Sequence, residues 1–424
     1  MKAVKVVELF AGVGGFRLGL DQAANKNTFF DTVWYNQWEP GKTHQYAFDC
    51  YEKHFPPTQM FLEGMNEDIG LGKKNCPDHD LLVGGFPCQD YSVARTQAKG
   101  IEGKKGVLWW DIRDIIAAKK PENRPKYILL ENVDRLIRSP GSQRGRDFGI
   151  ILKCLYDLGY AVEWRVVNSA QYGYAQRRRR TFIFACRHDT KHFLYLRSAD
   201  AVDVFGKHGF FARTFRVKYA NLHIKETDVK FLKKVEHGKS KPYKDLVEFS
   251  NHFHYDFLNS GYMVNGKVFT AATEPRKCEP TPLREILEKD GVAEKYFLGP
   301  KLDKWKYLKG AKREPRVKPN GEPYFYSEGG MSFPDNLDLP SRTMLTSESS
   351  VNRSTHVVED PKTKKLRLLT PIECERLNGF PDNWSNTGMP EKFRYFVMGN
   401  ALVVPLITRM GKTILKLIKE EEQK

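Results

Sequence analysis

The sequence predicts an α/β fold in which a mostly parallel sheet is covered by helices and followed by a second, loop-rich domain. Two observations support this prediction. Strand-like and helical segments alternate between residues 3 and 186, as in repeated strand–helix–strand units. From about Lys191 onward, short irregular pieces replace this alternation, and Lys and Arg residues intermingle with aromatic residues. We therefore expect a first domain over residues 1–190 and a second domain over residues 191–367.

Apolar runs and apolar residues at helical spacing define the individual elements. The predicted strands of the first domain are Ala3–Phe10, Thr32–Trp38, Leu81–Gly85, Tyr127–Leu130, Ala161–Val167 and Arg180–Cys186. Its predicted helices are Phe16–Ala24, Gly41–Lys53, Trp109–Ala118 and Phe148–Leu158. Beyond it we expect a hairpin at Asn265-Gly266, a strand-like piece at Phe393–Val397, and helices at Leu369–Leu377 and Val403–Lys419.

The composition points to a nucleic-acid partner. The 424-residue chain carries a formal net charge of +17, which favours a polyanion, although a merely basic cytosolic protein is the alternative. Seven cysteines are scattered without a Cys-x-x-Cys pair, so we expect a reducing compartment, no disulfide framework and no metal site. No run approaches the roughly 18 apolar residues that a membrane span needs, and we expect no membrane association.

A Gly-rich turn, Phe10–Gly15, follows the first strand. Glycines there let a ligand approach the backbone closely, and an ordinary tight turn is the alternative. The dinucleotide pattern G-x-G-x-x-G fails, because position 17 is Arg. With Phe10 as an apolar face, the turn suits an adenine-containing cofactor that lacks a pyrophosphate.

Polar and aromatic residues follow at the next positions where this fold binds ligands. Gln37, Trp38 and Glu39 end the second strand, where a polar side chain meets ribose hydroxyls in such folds. Trp38 can pack on a purine, and Asp68 can accept a hydrogen bond from an exocyclic amine. A core tryptophan is the alternative for Trp38.

One thiol and one carboxyl group come after neighbouring strands. Cys88, in Pro87-Cys88-Gln89, follows the third strand, and Glu131 ends the fourth. Because the carboxyl ends of parallel strands meet at one edge, we expect both groups to face one pocket. A buried inert cysteine and a solvated glutamate are the alternatives.

Four consecutive arginines, Arg177 to Arg180, precede the sixth strand. Strand alternation predicts that Arg178 and Arg180 face the pocket of Cys88 and Glu131. Arg177 and Arg179 are then expected to face away, toward a nucleic-acid backbone. An exposed basic face is the alternative.

Taken together and in this order, the motifs resemble those of the DNA (cytosine-5) methyltransferases. The resemblance rests on six motifs: Phe10–Gly15, Pro87–Gln89, Glu131–Val133, Gln176–Arg180, Arg342–Thr346 and Gly399-Asn400. It covers roughly residues 1–190 and 340–410, while residues 191–335 match no motif, as a variable target-recognition domain would. It implies a Rossmann-like S-adenosylmethionine-dependent methyltransferase sheet, with residues 368–395 as a hinge and residues 396–424 completing the catalytic domain.

The resemblance also implies a role for each site residue. Cys88 would add to cytosine C6 and Glu131 would act at N3, while Arg178 and Arg180 would position the base and the cysteine loop. The residues implied in DNA binding are Gln89, Ser92, Arg179 and Arg342. The residues implied in binding S-adenosyl-L-methionine are Phe10, Gly12, Gly14, Gln37, Trp38, Asp68, Ile69, Pro87, Leu108, Asn400 and Ala401.

Two positions depart from the family pattern. The family usually has Glu where this chain has Gln37, and Glu39 stands two residues later, so which of them binds the ribose stays open. An amide accepts a hydrogen bond less strongly than a carboxylate does. Arg179 occupies a position that is often acidic, and it adds positive charge near the DNA.

The implied function is methylation of a specific cytosine in double-stranded DNA after base flipping. The protein would be a monomeric, cytoplasmic and nucleoid-associated bacterial enzyme of a restriction–modification system, or an orphan enzyme. A tRNA cytosine-5 methyltransferase of the same fold is the first alternative, and a non-enzymatic nucleic-acid-binding protein is the second. The long basic insert favours DNA, and the intact Cys88, Glu131, Arg178 and Arg180 disfavour a protein without activity.

Overall fold

A nine-stranded sheet runs through the centre of the computed structural model, which describes residues 1–56, 65–86, 108–218, 222–227, 233–236 and 239–423. The described strands, in chain order, are β1 (Lys2–Leu9), β2 (Thr28–Asn36), β3 (Leu81–Gly85), β4 (Tyr127–Val133), β5 (Tyr160–Asn168), β6 (Arg179–Arg187), β7 (Val217–Lys218), β8 (Ile224–Thr227), β9 (Lys233–Glu236), β10 (Lys239–Pro242), β11 (Ser260–Val264), β12 (Lys267–Ala271), β13 (Glu274–Pro275), β14 (Lys312–Val317), β15 (Pro323–Glu328), β16 (Val357–Glu359) and β17 (Leu366–Leu368). The central sheet has the order β2-β1-β3-β4-β6-β5-β11-β12-β8.

Helices connect and cover these strands. In chain order they are α1 (Gly15–Asp21), α2 (Tyr46–His54), α3 (Ile69–Gly72), α4 (Leu108–Ala117), α5 (Arg146–Asp157), α6 (Lys191–Ser198), α7 (Ala201–Asp203), α8 (Phe210–Thr214), α9 (Leu246–His252), α10 (Leu302–Lys309), α11 (Pro371–Leu377), α12 (Glu391–Asn400) and α13 (Val404–Glu422). Short 3-10 turns occupy Lys73–Asn75, Pro121–Asn123, Asp134–Arg138, Ser169–Tyr172, Leu283–Glu285, Glu294–Tyr296 and Gly299–Lys301, and a π-helical turn occupies Val204–His208.

The sheet is parallel in one half and antiparallel in the other. Strands β2, β1, β3 and β4 are parallel neighbours, whereas each neighbouring pair from β4 to β8 is antiparallel. The prediction of a mostly parallel sheet is therefore wrong for the second half. The physical reason is the short link between β5 and β6, because parallel neighbours need a crossover of a dozen or more residues.

The antiparallel half extends into the chain beyond residue 190. Strands β11, β12 and β8 continue the sheet from β5, so residues assigned to the second domain add hydrogen-bonded strands to the first. The domain division itself stays a prediction.

Two apolar layers sandwich the sheet. Alternate side chains of β4 point to opposite faces, as the strand period of two requires. Tyr127 and Leu129 join a core that includes side chains of α1 and α13. Ile128 and Leu130 join the opposite core, which includes side chains of α4 and α5.

Several predictions from sequence patterns are confirmed. Asn265-Gly266 joins β11 to β12 with φ angles of 50° and 76°, the positive values that a type I′ hairpin turn requires. The predicted terminal helix is present as α13. The predicted helix at Leu369–Leu377 is present as α11, which begins with a capping box between Thr370 and Glu373.

The strand-like piece predicted at Phe393–Val397 is wrong, because these residues lie within α12. Tyr395 and Met398 are buried three positions apart, which is a helical spacing. A short apolar run does not by itself distinguish the two structures.

The last helix packs directly on the first. A Cβ on Gly19 would lie 2.6 Å from Ile407 Cβ, and a Cβ on Gly411 would lie 2.7 Å from Ala23 Cβ. The small residues therefore let α1 and α13 approach closely, and larger side chains at either glycine would force them apart.

Candidate active site

The candidate site lies at one edge of the sheet, where four parallel strands end. The carboxyl ends of β1, β2, β3 and β4 lie side by side, since these strands are neighbours that run in the same direction. They lead into Phe10, Gln37, Phe86 and, within β4, Glu131. This convergence is where open α/β sheets bind ligands.

The turn after β1 leaves open space beside its backbone. Phe10, Gly12 and Gly14 have φ angles of 55°, 57° and 84°. Within the part of the chain that the structure describes, a Cβ on Gly12 would meet no atom within 4 Å, whereas one on Gly14 would lie 2.5 Å from the Phe55 ring. Gly14 therefore serves packing against Phe55, and Gly12 borders free space that a ligand can occupy.

The side chain of Gln37 is tied to this turn. Its Oε1 accepts a hydrogen bond from the Gly12 amide over 2.7 Å, so its amide nitrogen is the donor that remains for a ligand. Among the described residues, Glu39 Oε2 is buried and has no hydrogen-bond partner, and burial raises the pKa of its carboxyl. Trp38, between them, is half-buried.

Asp68 begins the short helix α3. Its Oδ1 accepts from the Gly70 amide over 2.8 Å. Ile69 is buried, and Leu108, at the start of α4, is half-buried. Asp111 Oδ1 of α4 would lie 3.7 Å from a Cβ on Gly70, which places α4 beside α3.

Glu131 and Arg180 form an ion pair across β4 and β6. Arg180 Nε lies 2.7 Å from Glu131 Oε1, and 17% and 13% of the two side chains are exposed, so the pair can still be reached from solvent. A Cβ on Gly85 would lie 3.3 Å from Glu131 Oε2, so the glycine leaves room for the carboxyl group. The two side chains meet as strand alternation predicts.

Asn132 links β4 to Phe86, the last described residue after β3. Its Nδ2 donates to the Phe86 carbonyl over 2.8 Å, and its Oδ1 accepts from the Val133 amide over 2.8 Å. Pro87, Cys88, Gln89 and Ser92 follow Phe86 in sequence and lie outside the described residues. Asn132 therefore fixes the position from which the cysteine loop departs.

The other arginines of the motif have different surroundings. Arg178 is buried, and its guanidinium donates to the carbonyls of Met344 and Gly399 over 3.2 and 2.9 Å. Burial, together with the charge of Arg180, lowers the pKa of Arg178 to about 9. Arg179 is exposed and lies 3.2 Å from Asp134 Oδ2. Of these side chains, Arg180 is the one placed against Glu131.

Arg342 uses its guanidinium inside the protein. Nε and Nη2 bind the two carboxylate oxygens of Asp335 over 2.8 and 3.1 Å. Nη1 donates to the Ser354 carbonyl over 2.9 Å. These contacts fix the chain segment that carries Met344, the acceptor of Arg178.

The C-terminal part of the chain completes the edge. Asn400 is exposed at the end of α12, and Ala401 is half-buried beside it. Leu402 Cδ1 would lie 3.1 Å from a Cβ on Gly15, so this turn packs on the first one. Trp384 Nε1 donates to the Val13 carbonyl over 2.8 Å.

Sequence patterns did not assign roles to three residues that hold these parts together: Asn132, Gln176 and Trp384. Gln176 accepts from the Met344 amide over 3.0 Å and donates to Asn378 Oδ1 over 3.1 Å. Asn132 and Gln176 stand inside recognised motifs, so their positions gave a signal. Trp384 gave none, because its partner Val13 is 371 residues away.

No helix in the described part of the chain combines the length and apolar character needed to cross a lipid bilayer.

Comparison with known proteins identifies the family. Residues 4–416 match the family described as C-5 cytosine-specific DNA methylase. The chain is 48% identical to the type II methyltransferase M.Sau3AI of Staphylococcus aureus, over 98% of this chain and 97% of that protein. It is 24% identical to the type II methyltransferase M.NlaIV of Neisseria lactamica, over 98% and 99% of the two chains.

Solved structures support the fold. The S. pombe Dnmt2 methyltransferase superposes with a TM-score of 0.56 at 18% identity, over 98% of this chain and 99% of that one. The Entamoeba histolytica methyltransferase EhMeth superposes with a TM-score of 0.55 at 15% identity, over all of both chains. These are the Rossmann-like methyltransferase folds that the motifs imply.

The family description and the similarity to M.Sau3AI favour DNA over the RNA alternative that the motifs left open. Use of S-adenosylmethionine is general in this family. The chain therefore belongs to the C-5 cytosine-specific DNA methylases and is a DNA (cytosine-5-)-methyltransferase.

Proposed function

We infer that this enzyme methylates one cytosine within a specific double-stranded DNA sequence and protects host DNA in a type II restriction–modification system. The type II methyltransferase M.Sau3AI, which is 48% identical over nearly the whole chain, supports the biological setting. The observation that carries the chemistry is the convergence at one sheet edge of the open turn at Gly12, the Arg180–Glu131 pair and Phe86, which leads to Cys88.

Cys88 is the nucleophile of the proposed reaction. Cytosine C5 is a poor nucleophile, and addition of a thiolate to C6 makes C5 enamine-like. Cys88 forms the bond to C6 and leaves again by elimination when the C5 proton is lost. The target atoms are stacked inside a duplex, so the cytosine is first flipped out of the helix at a cost of a few kcal/mol.

Glu131 holds the flipped base and manages a proton at N3. Its carboxyl hydrogen-bonds N3 and the exocyclic amino group, and it donates the proton that neutralises the ring during addition. In the free protein Arg180 Nε lies 2.7 Å from Glu131 Oε1 and orients the carboxyl group. Entry of the base excludes water, and Arg180 then positions the carboxyl group and the base oxygen O2.

The edge fits S-adenosyl-L-methionine. The free space beside Gly12, whose amide donates to Gln37 Oε1, leaves room for a ligand between the turn and the end of the second strand. When bound, this cofactor supplies the methyl group on a sulfonium centre. The residues proposed to hold it are Phe10, Gly12, Gly14, Gln37, Trp38, Asp68, Ile69, Pro87, Leu108, Asn400 and Ala401.

DNA binding is proposed for Gln89, Ser92 and Arg179. Arg179 is exposed beside the Glu131 edge, where it can meet a phosphate. Arg178 and Arg342 are proposed as positioning residues, because their guanidinium groups bind internal acceptors.

The remaining proposals concern organisation. Residues 1–190 and 396–424 form the catalytic unit, residues 191–367 recognise the target, and residues 368–395 are the hinge. The enzyme acts as a monomer in the cytoplasm, associated with the nucleoid.

Trapping with 5-fluorocytosine DNA tests the mechanism. With S-adenosylmethionine present, the protein should form a covalent complex with such DNA that survives denaturation, because fluorine at C5 blocks the elimination step. Cys88→Ala should form no complex and transfer no methyl group, with an unchanged melting temperature. Cys278→Ala, which changes an exposed cysteine, is the matched control and should behave as wild type. Methyl transfer by Cys88→Ala would refute the assignment of the nucleophile.

A further inference from the structure

Strands β14 and β15 form a two-stranded ribbon, residues 312–328, that makes up a small sheet of its own. Its turn is closed by hydrogen bonds from the Lys318 amide to the Glu322 carbonyl and from the Gly321 amide to the Lys318 carbonyl, over 2.8 and 2.9 Å. Six residues in each strand give a length of about 20 Å at roughly 3.3 Å per residue.

The two faces of the ribbon differ. On one face Arg316 lies over the Tyr326 ring at 3.7 Å, and Glu314 accepts from the Tyr307 hydroxyl over 2.8 Å. The side chains of this face therefore contact one another and α10.

The opposite face is apolar and exposed. Pro315 pairs with Phe325 across the strands, and Val317 pairs with Pro323. Val317 and Phe325 are 66% and 59% exposed. Arg313 lies on this face, 4.7 Å from the Phe325 ring. Exposed apolar side chains grouped with a cation mark a contact surface rather than an ordinary exterior.

Several bonds fix the base of the ribbon. Arg353 Nη1 donates to the carbonyls of Leu308 and Gly310 over 2.9 and 3.1 Å. Lys309, which is buried, donates to the Thr355 carbonyl and lies 3.9 Å from Asp335. The ribbon is thus anchored to residues 353–355.

The anchoring segment leads back to the candidate active site. Arg342 joins Asp335 to the carbonyl of Ser354, and Arg178 binds the Met344 carbonyl. Arg178 stands two residues before Arg180, the partner of Glu131. Polar contacts joined by short stretches of backbone therefore connect the ribbon base to the edge where the cytosine is proposed to bind.

The occupant that fits this face is the major groove of DNA. The groove admits a two-stranded ribbon, and the C5-methyl group of thymine is its apolar feature. Arg313 supplies a cation on this face, beside the Phe325 ring, and the chain carries a net charge of +17. We propose that the apolar face of the ribbon enters the major groove of the target and reads thymine methyl groups through Val317 and Phe325. This inference rests on the proposed function, since it assigns a base-reading surface to the same DNA complex.

The inference restricts the target sequence. The recognised bases must include at least one A·T pair whose thymine methyl is contacted. Replacing that thymine by uracil, which lacks only the methyl, should weaken binding about fourfold for each methyl buried.

Binding measurements on matched duplexes test the proposal. Preferred sites are first selected from random duplexes by retention on the full-length protein, and their thymines are then replaced one at a time by uracil at constant salt. Replacing thymine by uracil at one or more positions should lower the affinity of the wild-type protein about fourfold, the effect expected from the loss of one buried methyl group. Val317→Ser and Phe325→Ser should bind thymine and uracil duplexes equally. Val202→Ser, which changes another exposed valine in α7, is the control and should discriminate as wild type does.

Three results would overturn the proposal: a selected site without an A·T pair, equal binding of thymine and uracil duplexes by wild type, or retained discrimination in both ribbon variants. A wild-type dimer that the ribbon variants abolish in sedimentation would instead assign this face to a second copy of the chain. Adduct formation with 5-fluorocytosine DNA reports on the proposed function separately. Adducts without methyl discrimination refute the ribbon proposal alone, and discrimination without adducts refutes the catalytic mechanism alone.

Discussion

Arg180 Nε lies 2.7 Å from Glu131 Oε1, so the carboxyl group that is proposed to protonate cytosine is paired with a cation before the base arrives. The pair lies across β4 and β6, and 13% of the Glu131 side chain remains exposed. Catalysis then requires this ion pair to exchange part of its contact for a contact with the base.

Removing the guanidinium group of Arg180 should slow methyl transfer. Arg180→Ala should lower the single-turnover rate of methyl transfer by about a hundredfold or more, because a charge-positioning group in a desolvated site is lost. The single-turnover rate of Arg180→Lys should lie between those of wild type and Arg180→Ala, because lysine supplies a point charge without the planar donor geometry. Rapid-quench measurement with labelled cofactor gives the rate, and Arg197→Ala, at an exposed arginine of α6, is the control. Wild-type turnover by Arg180→Ala would contradict the role.

Asn132 should act through the cysteine loop. Asn132→Asp keeps the acceptor for the Val133 amide but loses the donor to the Phe86 carbonyl. We expect a loss of about 1–3 kcal/mol in the free energy of unfolding, the cost of an unpaired buried carbonyl. Adduct formation with 5-fluorocytosine DNA should slow more than DNA binding weakens. Equal effects on both would mean that Asn132 supports the fold without positioning the loop.

Gln37 and Glu39 can be separated by cofactor binding. Gln37→Glu keeps an acceptor for the Gly12 amide and offers a charged acceptor to the ribose, so binding of S-adenosylhomocysteine should tighten about fivefold. Glu39→Gln should leave this affinity unchanged. Isothermal titration calorimetry measures both. If Glu39→Gln weakens the binding of S-adenosylhomocysteine and Gln37→Glu leaves it unchanged, the ribose contact belongs to Glu39.

Glu8 should make stability depend on pH. Burial raises the pKa of this carboxyl from 4.5 to about 7, against the opposing effect of its hydrogen bond from Tyr51. Between these values the folded protein holds a proton that the unfolded chain releases, so the free energy of unfolding falls as pH rises from 4.5 to 7. Glu8→Gln stays neutral and should be more stable than wild type by about 3 kcal/mol at pH 8, with little difference at pH 4. Urea denaturation at both pH values tests this, and a parallel shift at both would refute the linkage.

Local sequence patterns were enough to predict that the carboxyl ends of the parallel strands lie at one edge of the sheet. They also predicted that Arg180 faces Glu131. Alternation along a strand and convergence at one edge are short-range rules, and they need no knowledge of the distant chain. The catalytic and binding roles of these residues stay predictions.

Long-range contacts were beyond those rules. The sequence predicts Arg178 at the pocket of Cys88 and Glu131 and Arg342 at the DNA. Both guanidinium groups are bound to internal acceptors that neighbouring residues in sequence do not reveal. The place of β6 between β4 and β5 likewise depends on a short connection rather than on any residue of β6. Helix α12 shows the remaining limit, because the five residues Phe393–Val397, apolar except for Arg394, are too few to distinguish a helix from a strand.

The packing of α13 on α1 determines when in its own synthesis the protein can become active. Gly19 is synthesised long before Ile407, which covers it. Until then the nascent chain has an uncovered apolar face, and the Val13 carbonyl lacks its bond from Trp384. Chains that lack α13 therefore leave this face of α1 uncovered, and we expect them to transfer no methyl group until α13 has been added.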